Sequence, residues 1–232
     1  NFGLPGNVVL NEIITYLLHC QGLKPDIVVA HDGFNDLFYG LTSDPFLVRK
    51  HDIVYQFNLE EWAKVLLENW CVANKQPLSL AGDSALTQPT MPLRDMNLPQ
   101  HVLHAYITRK LQFRDLVKCG GGEFVWGIQP FIYSKSARSS EEDLYISKLN
   151  ADDTVSDIYK RMPFLYEKLT TVIELPKDIE VADLHVYFRT LDASQTLFAD
   201  FCHLVPAGDE KVAEFYADFI FNRIAPKLLC RL

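Results

Sequence analysis

A carboxylate and an imidazole lie three positions apart near the end of the chain, in the segment Asp200-Phe201-Cys202-His203. A short turn can place both side chains on one side, so that the carboxylate accepts a hydrogen bond from one ring nitrogen. The other ring nitrogen is then positioned to take a proton from a nucleophile. Acids and histidines are common in loops, so on its own this pair is more typical of an ordinary loop.

A side-chain amide, that of Asn35, follows the short apolar run from Ile27 to Ala30. The run is rich in β-branched residues, is too short for a helix and is typical of a buried parallel strand. The chain breaks at Gly33 and then continues with Asn35 and Asp36 at the carboxyl end of the strand, where ligands bind in open α/β sheets. We therefore expect Asn35 at the mouth of a pocket, and its alternative role is that of a helix N-cap or turn residue.

Helical and strand patterns alternate along the chain, which predicts an α/β fold with a mostly parallel sheet and right-handed crossovers. Apolar residues at helical spacing predict helices over Val9–Leu18 (ended by Gly22), Leu59–Trp70, Leu98–Lys118, Val155–Ile173 (kinked or broken at Pro163) and Pro206–Ala225. Apolar runs predict strands over Ile27–Ala30, Phe124–Ile128 and Ala182–Phe188. The polar segment Ser134–Glu142 is predicted to be mobile.

Length and composition restrict the class of protein. The 232 residues, 48% of them hydrophobic, suit a single domain over residues 1–232 with an irregular insertion at 41–99. The net charge of −8 argues against nucleic acid or an anionic membrane surface as a partner. No apolar run reaches the roughly 18 residues of a membrane span. The five cysteines are scattered and form no C-x-x-C pair, so neither a disulfide framework nor a zinc site is expected.

Three segments, taken in order, resemble the sequence blocks of the SGNH (GDSL-type) hydrolase family. They are Asn1-Phe2-Gly3-Leu4-Pro5-Gly6, then Gly33-Phe34-Asn35-Asp36 after a strand, then Asp200-Phe201-Cys202-His203 before the last helix. Flanking residues match as well, at Lys24-Pro25-Asp26, at Gln129-Pro130 and from His203 to Gly208. The resemblance implies a flavodoxin-like three-layer α/β/α fold and an ester hydrolase that works by a Ser-His-Asp relay.

The resemblance also implies a role for each matching residue. His203 would be the general base and Asp200 its orienting carboxylate. Asn35, through its side-chain amide, and Gly6, through its backbone N–H, would donate hydrogen bonds to the oxyanion that forms when an ester carbonyl is attacked. Gly3 is a near competitor for the place of Gly6. No cofactor is implied, and the substrate would be a small-molecule, carbohydrate or lipid ester.

The nucleophilic serine of the family lies in a Gly-Asp-Ser block that precedes the glycine block, and this chain starts at the glycine block. The triplet Gly82-Asp83-Ser84 lies in a proline-rich excursion without a strand before it, so Ser84 is not expected to be the nucleophile. We therefore expect the serine, with the first two strands, upstream of Asn1. On this interpretation the strand at Ile27–Ala30 is an exposed sheet edge, and the chain alone is poorly soluble and inactive toward esters.

Two other functions share these residues. An acyltransferase on the same fold would pass the acyl group to a sugar hydroxyl, and a non-catalytic binding module would lack the serine altogether. A metal centre is not expected, because His31, Asp32 and Asp36 beside Asp200 and His203 match no known ligand spacing.

Overall fold

Within the described part of the chain, three short parallel strands form a sheet. The computed structural model describes residues 7–42, 98–151, 153–169, 171, 175–176, 178–192 and 194–230. Strands β1 (Ile27–Asp32), β2 (Glu123–Ile128) and β3 (Glu180–Asp183) lie in the order β1-β2-β3, and β2 pairs in parallel with both neighbours. The predicted α/β class with a parallel sheet is therefore confirmed.

Helices precede and follow every strand. They are α1 (Val9–Thr15, continued by a π-helical turn at Tyr16–Cys20 and a 3₁₀ turn at Gln21–Leu23), α2 (Phe34–Thr42), α3 (Leu98–Cys119), α4 (Ser140–Ala151, after a 3₁₀ turn at Ile132–Ser134), α5 (Asp153–Leu169), α6 (Leu184–Phe188), α7 (Pro206–Phe219, continued by a π-helical turn at Ile220–Ile224) and α8 (Ala225–Leu229). Among the helices described, none combines the length and apolarity needed to cross a membrane.

The central strand β2 is buried along its whole length and contributes to two apolar cores. Its residues Phe124, Trp126 and Ile128 pack with residues of α1, α2, α3 and α5. Val125, which points to the opposite face because strand side chains alternate, packs with residues of α6 and α7. Helices thus cover both faces of the sheet, an arrangement compatible with three α/β/α layers.

The turn between β1 and α2 depends on Gly33, as the sequence predicted. Gly33 has φ +128°, a backbone conformation that residues with a Cβ rarely adopt. A Cβ at this position would also lie only 2.9 Å from the Tyr106 hydroxyl, which is too close. At the other end of β1, Gly22 does not end the first helix, because the 3₁₀ turn continues to Leu23. Lys24, with φ 50°, takes the left-handed conformation instead.

The predicted strand Ala182–Phe188 is wrong over most of its length. Strand β3 ends at Asp183, whose carboxylate accepts the backbone N–H of Val186 at 2.9 Å and so caps α6. Leu184 and Phe188 are buried whereas Val186 is 50% exposed. That pattern fits a helix, in which residues four apart share a face, because a strand would place all three side chains on one face.

The other predicted elements have the following outcomes. Helix α3 and strand β2 confirm the elements predicted there, and α5 runs through Pro163 without a break. The last helix is confirmed at Pro206 but changes to a π-helical turn after Phe219. The predicted helix Leu59–Trp70 and almost all of the insertion at 41–99 lie outside the described residues.

A tyrosine from α7 reaches the sheet where β2 has no side chain. The Tyr216 hydroxyl lies 2.7 Å from His31 Nδ1, and His31 is the register partner of Gly127 on β2. A Cβ on Gly127 would collide with the Tyr216 hydroxyl. Gly127 therefore leaves the space through which α7 contacts β1.

We expect Gly127→Ala to lower the free energy of unfolding by about 1–3 kcal/mol, the usual cost of overpacking a core. Urea unfolding followed by circular dichroism measures this change. Gly22→Ala is the matched control, because a Cβ there meets no atom within 4 Å. In a Tyr216→Phe background, which lacks the colliding hydroxyl, Gly127→Ala should cost less than it does in the wild type; an equal cost in the two backgrounds would contradict this explanation.

Candidate functional site

Asp200 and His203 form a hydrogen-bonded pair in the loop that precedes α7. Asp200 Oδ2 and His203 Nδ1 are 2.7 Å apart, and the two side chains are 35% and 67% exposed. Since Nδ1 carries the contact to the carboxylate, Nε2 is the ring nitrogen left to meet a reacting group. The pair therefore has the arrangement of an imidazole base with its orienting acid.

The carboxylate of Asp200 is fixed by the backbone of its own loop. Its Oδ1 accepts the backbone N–H groups of Cys202 at 2.9 Å and of His203 at 2.8 Å. Partial burial raises the pKa of Asp200, but these two hydrogen bonds and the contact with His203 outweigh it, so the pKa lies below its ordinary value. Asp200 is thus held as a carboxylate that keeps Oδ2 directed at the imidazole.

An aromatic stack connects this loop to the segment that carries Asn35. Phe34, which precedes Asn35, stacks on Phe201 with ring centroids 5.3 Å apart. The carbonyl of Phe201 also accepts the backbone N–H of Ile132 at 2.9 Å, just beyond the end of β2. The Asn35 segment and the Asp200–His203 loop therefore meet at the carboxyl ends of β1 and β2, the edge at which parallel sheets bind ligands.

Asn35 lies in the first turn of α2 and is half buried. Its Nδ2 donates to the backbone carbonyl of Asn7 at 3.0 Å. A side-chain amide carries two N–H donors, so this bond orients the group and leaves the second donor for a ligand. The neighbouring Asp36 is buried and accepts the backbone N–H of Val9 through both oxygens, at 3.2 and 3.1 Å, so the start of α1 is bound to α2.

A buried lysine lies beneath this edge of the sheet. Lys110 Nζ is fully buried, contacts Asp32 and lies 3.4 Å from Glu12. Burial lowers the pKa of Lys110, but these two carboxylates outweigh it and the pKa is raised. Asp32 also accepts the Tyr106 hydroxyl at 2.7 Å. The pKa of Asp36 is raised to about 7, because the effect of burial outweighs the attraction of the Lys110 charge.

The segment Ser134–Glu142, predicted to be mobile, instead contains a buried polar cluster. Lys135 and Glu142 form an ion pair at 2.6 Å with both side chains fully buried. Glu142 Oε1 accepts the backbone N–H groups of Leu197 and Phe198 at 2.8 and 3.1 Å. The prediction failed because these polar residues satisfy backbone groups of the loop that leads to Asp200, a contact more than 50 residues away in sequence.

A second serine–histidine contact, Ser134 with His185, does not have the arrangement of a catalytic pair. Ser134 Oγ lies 2.7 Å from His185 Nδ1, and His185 Nε2 lies 2.7 Å from an Arg189 guanidinium nitrogen. A guanidinium can only donate, so Nε2 accepts and Nδ1 carries the proton toward Ser134. Burial, with the charge of Arg189, lowers the pKa of His185 to about 4. His185 therefore has no free nitrogen with which to take the Ser134 proton.

The remaining predicted site residues lie outside the described part of the chain. These are Gly6, its competitor Gly3 and Ser84. Their assigned roles, and those of Asn35, Asp200 and His203, therefore stay predictions. His31, Asp32 and Asp36 do not join Asp200 and His203 in any group of potential metal ligands; within the described residues such a group consists of Asp200, Cys202 and His203.

Sequence reasoning missed two groups that support the site, Lys110 and the Ser139–Glu142 capping box, although the sequence contains a signal for each. Lys110 interrupts the apolar face of α3 four residues after Tyr106 and three before Phe113, a position that demands a buried partner. Ser139 and Glu142 have the S-x-x-E spacing of a capping box, in which the Ser139 backbone N–H donates to Glu142 at 2.9 Å. This spacing predicts a helix start at Ser140, where α4 begins.

Comparison of the sequence with protein-family models and with curated proteins gives no match in either case.

We expect Glu142→Gln to lower the free energy of unfolding by about 3–5 kcal/mol, because it leaves Lys135 as a buried charge without its partner. Urea unfolding measures the loss. Asp143→Asn is the matched control: it removes an acidic partner of Arg138 that is 60% exposed, and surface pairs contribute only about 0–1 kcal/mol. Equal losses in the two variants would contradict the role of Glu142.

We expect Asp36→Asn to change the pH dependence of stability. In the folded protein the pKa of Asp36 is raised from 3.8 to about 7. The contribution of the protonated Asp36 carboxyl to the free energy of unfolding is therefore fully present below pH 3.8 and is lost as the pH rises through 7. Asparagine keeps an oxygen for the Val9 N–H and does not titrate. The free energy of unfolding of the variant minus that of the wild type should therefore increase from pH 4 to pH 7, by up to about 4 kcal/mol at about 1.4 kcal/mol per pKa unit. Urea unfolding at each pH tests this, and a difference independent of pH would contradict it.

Proposed function

We propose that this chain is the base-carrying part of an ester hydrolase of the SGNH (GDSL) type. The observation that carries the proposal is the Asp200–His203 pair, in which Oδ2 contacts Nδ1 at 2.7 Å while two backbone N–H groups hold Oδ1. A hydrogen-bonded acid and imidazole at the carboxyl edge of a parallel sheet suit general-base catalysis better than a structural role, because the imidazole is largely open to solvent.

In the proposed reaction, His203 Nε2 takes the proton from a serine hydroxyl as that oxygen attacks the ester carbonyl. The imidazolium, stabilised by Asp200, then donates this proton to the leaving alcohol, and an acyl-serine is formed. Water activated by the same nitrogen hydrolyses the acyl-serine and restores the enzyme. The chain's own residues account for proton transfer and its orientation, and no cofactor takes part.

The negative charge that develops on the carbonyl oxygen requires hydrogen-bond donors. The second N–H of the Asn35 amide is one proposed donor, and its orientation by the Asn7 carbonyl at 3.0 Å supports this role. The backbone N–H of Gly6 is the other proposed donor. Preorganised donors of this type stabilise the transition state by about 3–4 kcal/mol each.

The proposal extends to a flavodoxin-like sheet in which the serine follows a strand adjacent to β1. In the described part of the chain β1 pairs with β2 alone, and the middle of its exposed edge carries Val29, which is 38% exposed. An apolar strand edge of this kind favours pairing with a further strand. We propose that residues upstream of Asn1 supply both that strand and the serine, and that Ser84 is not the nucleophile. The substrate would be a small-molecule, carbohydrate or lipid ester.

A fluorophosphonate probe, which reacts covalently with activated serines, tests the proposal. The coding sequence is extended upstream of Asn1, and the labelled peptide is mapped by mass spectrometry. We expect labelling at a serine in an upstream Gly-Asp-Ser, loss of labelling in His203→Ala, and no labelling of the 232-residue chain at Ser84. Labelling at Ser84 would overturn the position assigned to the nucleophile, and an upstream reading frame without such a serine would favour a non-catalytic binding module.

Ester hydrolysis by the extended chain then tests the assigned roles. Asn35→Ala should lower kcat by about 10²- to 10³-fold, as the loss of one oxyanion donor does. Asn222→Ala, which truncates an exposed asparagine near the chain's end, is the matched control and should leave kcat unchanged. Equal kcat values for the two variants would show that the Asn35 amide has no role in the reaction. Transfer of the acyl group to an added sugar would identify an acyltransferase on the same residues.

A further inference from the structure

We propose that Asp200, Cys202 and His203 bind a thiophilic divalent cation, of which Zn²⁺ is the representative. Each residue offers one ligand atom, and the three atoms all lie within 4.8 Å of one another. His203 Nδ1 lies 2.7 Å from Asp200 Oδ2 and 3.8 Å from Cys202 Sγ. The three ligands come from four consecutive residues, so the loop itself brings them together.

This donor set suits zinc. Tetrahedral zinc bonds of about 2.0–2.3 Å to oxygen, nitrogen and sulfur place the ligand atoms roughly 3.3–3.7 Å from one another. The distance between Cys202 Sγ and His203 Nδ1 is already close to that range. The Asp200–His203 contact would have to open by about half an ångström, a change that rotation of the exposed His203 side chain can supply.

The surroundings of the three residues also suit a metal. Ligating carboxylates are normally held by further hydrogen bonds, and Asp200 has two such bonds, from the N–H groups of Cys202 and His203 to Oδ1. They leave Oδ2 as the single oxygen directed at the cation. His203 is 67% exposed and Asp200 35% exposed, so a hydrated cation can approach these two ligands from solvent and retain water as its fourth ligand, whereas Cys202 offers its sulfur from a buried position.

Binding would replace the hydrogen bond between Asp200 and His203, because the cation takes both atoms that form it. The binding itself does not rest on the proposed hydrolase function. If that function holds as well, the cation inhibits hydrolysis, because an imidazole bound through Nδ1 to a dication is a poor base.

Zinc titration of the full chain against a chromophoric chelator tests the proposal without any ester substrate. Cys202→Ser and His203→Ala should each weaken the binding of one Zn²⁺ by at least about tenfold, since even loss of an outer hydrogen-bond partner costs about 10- to 100-fold. Cys119→Ser, at an exposed cysteine that ends α3, is the matched control and should bind Zn²⁺ as the wild type does. Thermal unfolding without metal identifies any variant that fails to fold, and a Cys202→Ala variant then replaces Cys202→Ser.

A Co²⁺ titration identifies the sulfur ligand directly, because a thiolate bound to Co²⁺ gives a charge-transfer band in the near ultraviolet. We expect this band in the wild type and in Cys119→Ser and its loss in Cys202→Ser. Absence of Zn²⁺ binding by the wild type, or equal binding by wild type and Cys202→Ser, would overturn the proposal, whatever the outcome of the serine-labelling experiment.

Discussion

The buried ammonium group of Lys110 constrains the elements around Asn35 in the candidate site. Lys110 of α3 lies in the interior, where a charge is stable only when it is paired, and its partners are Asp32 at the end of β1 and Glu12 on α1. The relative positions of α1, β1 and α3 therefore cannot change without separating these charges. Asp36 adds the connection between α1 and α2. The location of Asn35, the residue before Asp36, thus depends on an ion cluster that itself has no part in the proposed chemistry.

Local sequence patterns were sufficient to predict β1, β2 and α3. Strands β1 and β2 are short apolar runs bounded by turn residues, and α3 has a broad apolar face, so their positions could be predicted from sequence. The segment after Asp183 could not, because Leu184, Val186 and Phe188 satisfy both the strand period and part of the helix period. A capping hydrogen bond to Asp183, which apolar periodicity does not report, decides for the helix.

The candidate site divides in the same way between short-range and long-range contacts. Asp200 and His203 lie within one turn, so their contact could be predicted from spacing alone. Two other contacts join segments far apart in sequence. Phe34 stacks on Phe201, and Glu142 accepts a hydrogen bond from the backbone N–H of Leu197. Such contacts depend on the complete fold, and the polar composition around Glu142 pointed away from burial. Sequence reasoning therefore found the residues proposed to react but not those that hold them in place.

The way in which Asp200 is held has a consequence for how freely its loop can vary in evolution. Its Oδ1 is bound by backbone N–H groups at positions 202 and 203, not by side chains. Any amino acid that keeps its N–H at position 202 would preserve the direction of the carboxylate, and proline alone would remove a donor. Cys202 could thus be replaced by any residue other than proline without loss of the backbone N–H that holds the Asp200 carboxylate toward His203.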